Sequence, residues 1–376
     1  MDRYKLYFSL SRKMSRLNKT FFYIAFALGR KAVCKIDLNT AIKHCKGTPL
    51  TKEQLARVKS FWKGYHVDSR WLQYFNWTNR DRLPFDERYV PSDVQYCCVY
   101  DHYSLTADSM AMDDKNMYDL YFPDVAKPRT IVRKMGGVLL DDKYVPIALE
   151  SAVGRCMAEG RVICKPTVSS CGGKGILFWE KEDGEEALRK LLSNGDEFIV
   201  QEVFCQHKAL SDVHPSSVNT IRIMTFCDNG KVRVLQSILR MGAGGSRIDN
   251  ASTGGLFCGI HDDGTLRKYA CYLNGGITDV HPQGVRFEGY KIPHYEECKQ
   301  EVCRLAYRFA RLSKMISWDM SVAEDGTPVL IEVNLTYGGV EILQAANGPL
   351  FGDQTKEVVD AAFRRKRYRW FMRCFK

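Results

Sequence analysis

The chain has 376 residues, 45% of them hydrophobic and 26% charged, with a formal net charge of +11, a soluble globular composition with room for about two to three domains. Its longest apolar run, residues 21–28, lies between basic residues and falls short of the roughly 18 residues that cross a bilayer, which argues against a transmembrane protein. A secretory leader is disfavoured because no small-residue cleavage site follows that run.

Charge is unevenly distributed. Residues 1–70 hold 16 Lys and Arg against 4 Asp and Glu, and residues 364–376 add 7 bases and no acid, so the middle of the chain is net acidic. Basic, aromatic ends of this kind suit an anionic membrane surface or another acidic partner. The first 80 residues read as helical. Tyr4, Tyr7, Phe8 and Leu10 begin a helical-period pattern, and Thr51 with Gln54 forms a capping box before LARVKSFWKGY. Trp62, Tyr65, Trp71, Tyr74, Phe75 and Trp77 form an aromatic stripe expected to be a packing face. The 14 cysteines contain no C-x-x-C and no regular spacing, so zinc sites and a disulfide framework are disfavoured and a reduced, cytoplasmic compartment is expected. The neighbours Cys97 and Cys98 read as one inward and one outward thiol on a strand. A further helix is expected from about Met112 to just before Pro123.

From residue 130 the apolar period changes to two. IVRKM, RVICKP, GILFWE, EFIVQEV, NTIRIMTF and KVRVLQSILR are strand patterns, and later helices are expected between Pro293 and Leu312 and over 356–363. In RVICKPTVSSCGGKGILFWE a strand delivers Lys165 to a loop of small residues, 169–175, which returns into another strand. Such a loop lets backbone N–H groups approach phosphate oxygens, while Gly173-Lys174-Gly175 leading into a strand disfavours a Walker A loop. Farther on, Arg222 lies on one strand, Arg240 closes its partner, and a glycine-rich stretch presents Arg247, Asp249 and Asn250. Converging arginines suit a transferring phosphoryl group or a substrate carboxylate; the bland alternative is surface cations on strands.

ISWDMSVAEDGTPVLIEVNL reads as a β-hairpin around Glu324–Thr327. If Ala323 pairs with Pro328, Asp319 stands opposite Glu332. Alternation then puts Asn334 on the same face and Ile331, Val333, Met320 and Val322 on the other. Two carboxylates and an amide suit a hard divalent cation that also binds phosphate.

A phosphate-covering loop followed about 150 residues later by this carboxylate, carboxylate and amide set resembles the ATP-grasp superfamily. The wording N-T-x-R-x-x-T, L-R-x-G, D-N-x-x-x-G-G, W-D and I-E-V-N is most similar to its sugar-transfer-associated family, and FWKGY and Asp114-Lys115-Asn116 fit as well. The resemblance implies an α+β fold in which two subdomains clasp ATP. It divides the chain into a helical N-terminal region (1–110), an ATP-grasp domain (111–350, with a flap part over about 150–203 and a metal and substrate part over about 204–350), and a C-terminal helix and basic tail (351–376). It makes Lys165 the nucleotide lysine and Ser169, Ser170, Gly172 and Gly173 parts of the flap. Gln201, Glu202 and Val203 become the adenine hinge, with Arg133 or Lys134 a second phosphate contact. Asp319, Glu332 and Asn334 become ligands of magnesium, two ions with manganese as the alternative, and Arg222, Arg240 and Asn250 the catalytic groups. The implied activity is ligation of a carboxylate to an amine, or less often a thiol, through an acyl phosphate during surface-polysaccharide assembly, in the cytoplasm or at the inner face of the membrane. The other readings are a phosphotransferase on the same fold and a nucleotide-binding adaptor of a membrane glycosyltransferase complex. The implied substrate is a small molecule or glycan bearing a carboxylate, and nucleic acid is not an expected partner.

Overall fold

A computed structural model describes Leu28 and residues 49–65, 67–79, 82–105, 109, 112–168, 173–336 and 338–364. The basic start, with its expected first helix, and the basic tail lie outside the described residues. The chain divides into two compact units, one made of 1–102 with 351–376 and the other of 103–350.

The first unit is helical where described. The capping box forms as its sequence dictates: the Gln54 backbone N–H donates to Thr51 Oγ1 (3.1 Å) and the Thr51 N–H to Gln54 Oε1 (2.9 Å), starting the helix Lys52–Phe61. Trp62, Tyr65, Trp71 and Phe75 are buried. Tyr65 packs edge-on against Phe363 at 5.0 Å, and its hydroxyl donates to Asp360, so this aromatic core includes the C-terminal helix Thr355–Phe363. Cys97 and Cys98 depart from the strand expectation. They lie in a π-helical turn, Gln95–Val99, and both are buried. Neighbouring buried aromatic and apolar positions without a period of two favour a helical turn over a strand here.

The second unit holds two antiparallel sheets. The strands are β1 (Thr130–Met135), β2 (Val138–Leu140), β3 (Arg161–Pro166), β4 (Leu177–Glu180), β5 (Phe198–Glu202), β6 (Thr220–Asp228), β7 (Lys231–Met241), β8 (Leu256–Ile260), β9 (Leu266–Tyr272), β10 (Ile277–Thr278), β11 (Met315–Val322) and β12 (Pro328–Asn334). The smaller sheet runs β2-β1-β5-β3-β4 and the larger β10-β9-β8-β7-β6-β11-β12. One face of the small sheet packs Val132, Val162, Cys164, Phe198 and Val200 against helices Leu149–Glu159 and Gly184–Ser193. The large sheet packs Ile223, Leu239, Trp318 and Met320 against the amphipathic helix Tyr295–Phe309. The stretch expected to be helical after Met112 forms only a 3-10 turn, Lys115–Met117, and one α turn, Tyr118–Tyr121. Among the described residues no helix is long and apolar enough to cross a membrane.

The β11–β12 hairpin differs from its expected register in an instructive way. Val322, not Ala323, pairs with Pro328, because Ala323 closes a tight turn with Thr327 (N–H to O, 2.9 Å). The pairing then slips between Asp319 and Met320, whose partners are Glu332 and Leu330. Ile331 is the extra residue of a β-bulge. It restores Asp319 opposite Glu332 and Ser317 opposite Asn334. The bulge also shifts the phase of the core: Leu330 and Val333 are buried there, whereas Ile331, expected on the core side, is not.

Candidate active site

The face of the small sheet opposite its apolar core carries the polar groups. Lys165 and Arg133 both pair with Ile199, and Ile163 with Gln201, so Arg133, Lys165 and Gln201 share that face. The Lys165 ammonium donates to Gln201 Oε1 (3.0 Å), and the Gln201 amide donates to the Pro128 carbonyl (3.1 Å). Desolvation, aided by the Lys115 charge and opposed by Glu332, pushes the Lys165 pKa down to about 8. Glu202 accepts from the Arg129 backbone N–H (2.9 Å), and Val203 follows where the strand ends. Ser169, Ser170 and Gly172 lie outside the described residues. Gly173 and Gly175, with φ of +74° and +77°, take the left-handed backbone that the loop needs on its return.

Neither basic residue of β1 offers its charge to this face. Lys134 points to the opposite side, where its ammonium donates to the Asn194 carbonyl. Arg133 is on the Lys165 face but fully buried. Its guanidinium donates to Asp119 Oδ2 (2.6 Å) and the Asn116 carbonyl (2.7 Å) and stacks over Tyr144 (3.8 Å). Its hydrogen bonds are spent within the fold, so the expectation of a second phosphate contact at Arg133 or Lys134 is corrected.

The cation that does reach this face is Lys115, to which sequence reasoning gave no role. Asp114 caps its turn, accepting from the Asn116 N–H (2.9 Å), and the Lys115 N–H donates to the Thr167 carbonyl (3.0 Å) just beyond Lys165. The side chain then reaches Glu332 Oε1 at 2.8 Å. An aspartate able to cap a turn immediately before a lysine was the available signal.

On the large sheet, Asp319 is flanked by Glu332 on β12 and Arg222 on β6. It is 1% exposed. Arg222 grips it with two bonds, Nε to Oδ1 and Nη2 to Oδ2, both 2.7 Å, and Arg240 Nη1 adds a third at 2.9 Å. Burial alone would raise the Asp319 pKa, but the two arginines hold it below the usual carboxylate value. Arg240 also meets Asp249 Oδ1 at 3.2 Å, and Thr220 donates to the other Asp249 oxygen. Asn250 caps the turn Ala251–Thr253, accepting from the Ser252 N–H (2.8 Å). Thus Asp319, Glu332, Arg222 and Arg240 come together with Lys115, and Asn334 lies two residues beyond Glu332 along β12.

Two buried polar atoms at this place lack a protein partner, Asn334 Nδ2 and Asp113 Oδ1. Desolvation raises the Asp113 pKa to about 6, with Lys115 opposing and Glu332 adding to the rise. Among the described residues no group of three His, Cys, Asp or Glu side chains forms a metal cage.

The sequence matches the family described as sugar-transfer associated ATP-grasp over residues 142–359. No curated protein matches it. Similar solved structures include the ATP-grasp ligase PsnB complexed with minimal precursor, Mg and ADP (13% identity, 69% of this chain and 62% of that one covered, TM-score 0.40). Others are the D-alanine-D-alanine ligase from Coxiella burnetii (11%, 72% and 64%, 0.39) and VanG D-Ala:D-Ser ligase from Enterococcus faecalis (15%, 69% and 62%, 0.39). The aligned part of this chain spans about 62% of the length of PsnB.

Proposed function

The chain belongs to the sugar-transfer-associated ATP-grasp family and has its α+β fold, and on that premise we propose that it is an ATP- and magnesium-dependent carboxylate-amine ligase that releases ADP. The observation that carries this reading is the meeting of Lys165 and Lys115 with Glu332, which stands opposite Asp319 in the hairpin. Cations from the flap side confront oxygen ligands from the hairpin, as a metal-bound triphosphate requires.

In this reading Lys165 and Lys115 bind phosphate oxygens, with Ser169, Ser170, Gly172 and Gly173 covering them, and Gln201, Glu202 and Val203 meet the adenine. Asp319, Glu332 and Asn334 would hold magnesium, or manganese in its place, which would supply neutralisation of the phosphate charge. Arg222 and Arg240 face the reacting carboxylate, whose oxygen attacks the γ-phosphorus and displaces ADP. The amine then attacks the resulting acyl carbon, losing a proton and expelling phosphate. Asp249 and Thr220 fix Arg240, while Asn250 holds its turn by capping. The family's association with sugar transfer suggests a carboxyl-bearing sugar or glycan, or a sugar amine joined to a small acid, as the substrate, handled at the cytoplasmic face where the basic ends would dock on anionic lipid or on a glycosyltransferase complex.

The test is thermal unfolding with ATP, with and without magnesium, for the wild type, Lys165→Ala and Glu332→Gln, followed by a screen of acid and amine pairs for ADP release. A ligand at 100 times its Kd adds about 2.7 kcal/mol to stability, and both variants should lose that gain. If ATP binds but no pair yields ADP and phosphate, ligation is refuted; a phosphorylated product without an amide would establish phosphotransfer instead.

A further inference from the structure

β7 ends at Met241, and the turn that follows it, residues 242–246, is gripped at both ends by imidazoles. His281 Nε2 meets the Gly242 carbonyl and His214 Nε2 the Ser246 carbonyl, each at 2.9 Å. Both rings are fully buried, with centroids 5.6 Å apart. The fit leaves no slack, since a Cβ on Gly242 would stand 2.7 Å from His214 Nε2 and 2.8 Å from Ser217 Oγ. Three residues beyond Ser246, Asp249 meets Arg240, which in turn holds Asp319.

The hydrogen bonds fix where the protons are. A carbonyl only accepts, so both Nε2 atoms carry hydrogen. On the far side of the rings, Gln283 touches both: its backbone N–H donates to His281 Nδ1 (3.2 Å), and its side-chain Oε1 lies 3.2 Å from His214 Nδ1. His281 is therefore neutral with both nitrogens committed, and a second proton on it would point at an N–H. His214 differs, because the Gln283 amide offers an acceptor to a protonated Nδ1 and, when rotated, a donor to a bare one. The charged groups on the surrounding elements are engaged with one another: Lys208 with Asp212 before His214, Asp279 with Arg286 around His281, and Arg247 with Glu180 and Asp249 with Arg240 beyond the turn. Each imidazole thus has the other as its titratable neighbour. Burial lowers the His281 pKa, with the bond to Gly242 opposing and the His214 charge adding to the fall.

We propose that His214, Gln283 and His281 are positioning residues that clip the 242–246 turn, and through it the Asp249–Arg240 pair, with room for one proton at His214 and none at His281. A proton arriving at His281 displaces the Gln283 N–H and releases the turn, so acid loosens the segment that sets Arg240. The clip stands on geometry alone, whereas its bearing on a substrate carboxylate at Arg240 rests on the ligase reading above.

Two measurements on the ligand-free full chain test it: nuclear magnetic resonance of nitrogen-labelled histidine rings for the protons, and hydrogen-exchange protection for the turn. On acidification the first proton should appear on His214, while His281 keeps its Nε2–H tautomer as long as the turn is closed. Protection of the backbone amides of 243–250 should fall about ten-fold per pH unit below pH ~6.5, the slope of an opening that takes up one proton, while amides of β6 stay level. His281→Gln places an amide N–H where Nε2–H stands but cannot titrate, so it should keep the protection at pH 7.5 and lose the slope. His281→Leu should lose about ten-fold protection at every pH, the scale of one buried hydrogen bond left unmade; if it does not fold, His281→Gln still decides. A proton on His281 before His214 overturns the proton assignment, and a flat wild-type profile, or the same slope in His281→Gln, overturns the clip. Failure of the wild type to bind magnesium-AMPPNP would count against the ligase reading and leave these ligand-free results unchanged.

Discussion

Lys165 offers a direct electrostatic test of the site. With its pKa near 8 in the ligand-free protein, it is about half protonated at pH 8 and about one-tenth protonated at pH 9. Phosphate oxygens favour the charged form, so a bound triphosphate must return the proton. Nucleotide binding should therefore take up about 0.1 proton at pH 7, about 0.5 at pH 8 and about 0.9 at pH 9. Over the same interval affinity should fall, approaching about ten-fold per pH unit once Lys165 is mostly neutral, equivalent to about 1.4 kcal/mol. A free phosphate monoester ends its own titration lower, near a pKa of about 6, and so contributes little above pH 8. Calorimetric titrations of magnesium-AMPPNP into the protein, in buffers of different ionisation enthalpy at each pH, give the uptake directly. Lys165→Arg keeps the charge without the titration, and its uptake should stay near zero while binding persists. Binding by the wild type with no uptake between pH 8 and 9, or the same uptake in Lys165→Arg, would refute the placement of this ammonium against phosphate.

Further outcomes follow from the buried groups. Asp319→Asn leaves Arg222 and Arg240 without the carboxylate they share and should cost about 3–5 kcal/mol in a urea melt, as removal of one partner from a buried ion pair does. The His281 pKa is lowered, chiefly by desolvation, so the unfolded chain binds the proton more readily. Stability should be full above pH ~6.5 and fall as the pH drops below it, and His281→Gln should flatten that part of a melting-temperature profile. Gly255→Ala would place a Cβ 2.7 Å from the Met241 carbonyl oxygen and 2.8 Å from that of Asn250. Both obstacles are backbone, so a loss of about 1–3 kcal/mol is expected by chemical denaturation.

Much of the fold was legible because its residues stand in regular structure. The capping box at Thr51, the strand runs from 130 onward and the pairing of Asp319 with Glu332 follow from local chemistry and a period of two, whereas the grip of Arg222 and Arg240 on Asp319 does not. What escaped depended on three-dimensional partners. Nothing in IVRKM tells that Arg133 will find Asp119 or that Lys134 will face the helices. Lys115 was obscured for the related reason that its turn takes its place from a backbone bond to Thr167, more than fifty residues away, and not from any helical period. β8 and β9 are apolar enough to be strands, but the glycines and turns around them break the alternation that would have marked them.

The hairpin shows how the expected Asp319–Glu332 pairing can come from an incorrect register. Counting from the turn places Asp319 opposite Glu332 only if Ala323 pairs with Pro328; the actual pairing begins one residue earlier, and the bulge at Ile331 adds the residue back. A regular hairpin with the observed turn would have set Asp319 against Ile331 and sent Glu332 toward the core. Burying that carboxylate without a partner is costly, whereas one bulged residue leaves Leu330 and Val333 in the core and Glu332 free to meet Lys115. The position of Glu332 is thus set by a local irregularity, a β-bulge between the turn and the Asp319–Glu332 pair, that keeps Leu330 and Val333 in the core and Glu332 against Lys115.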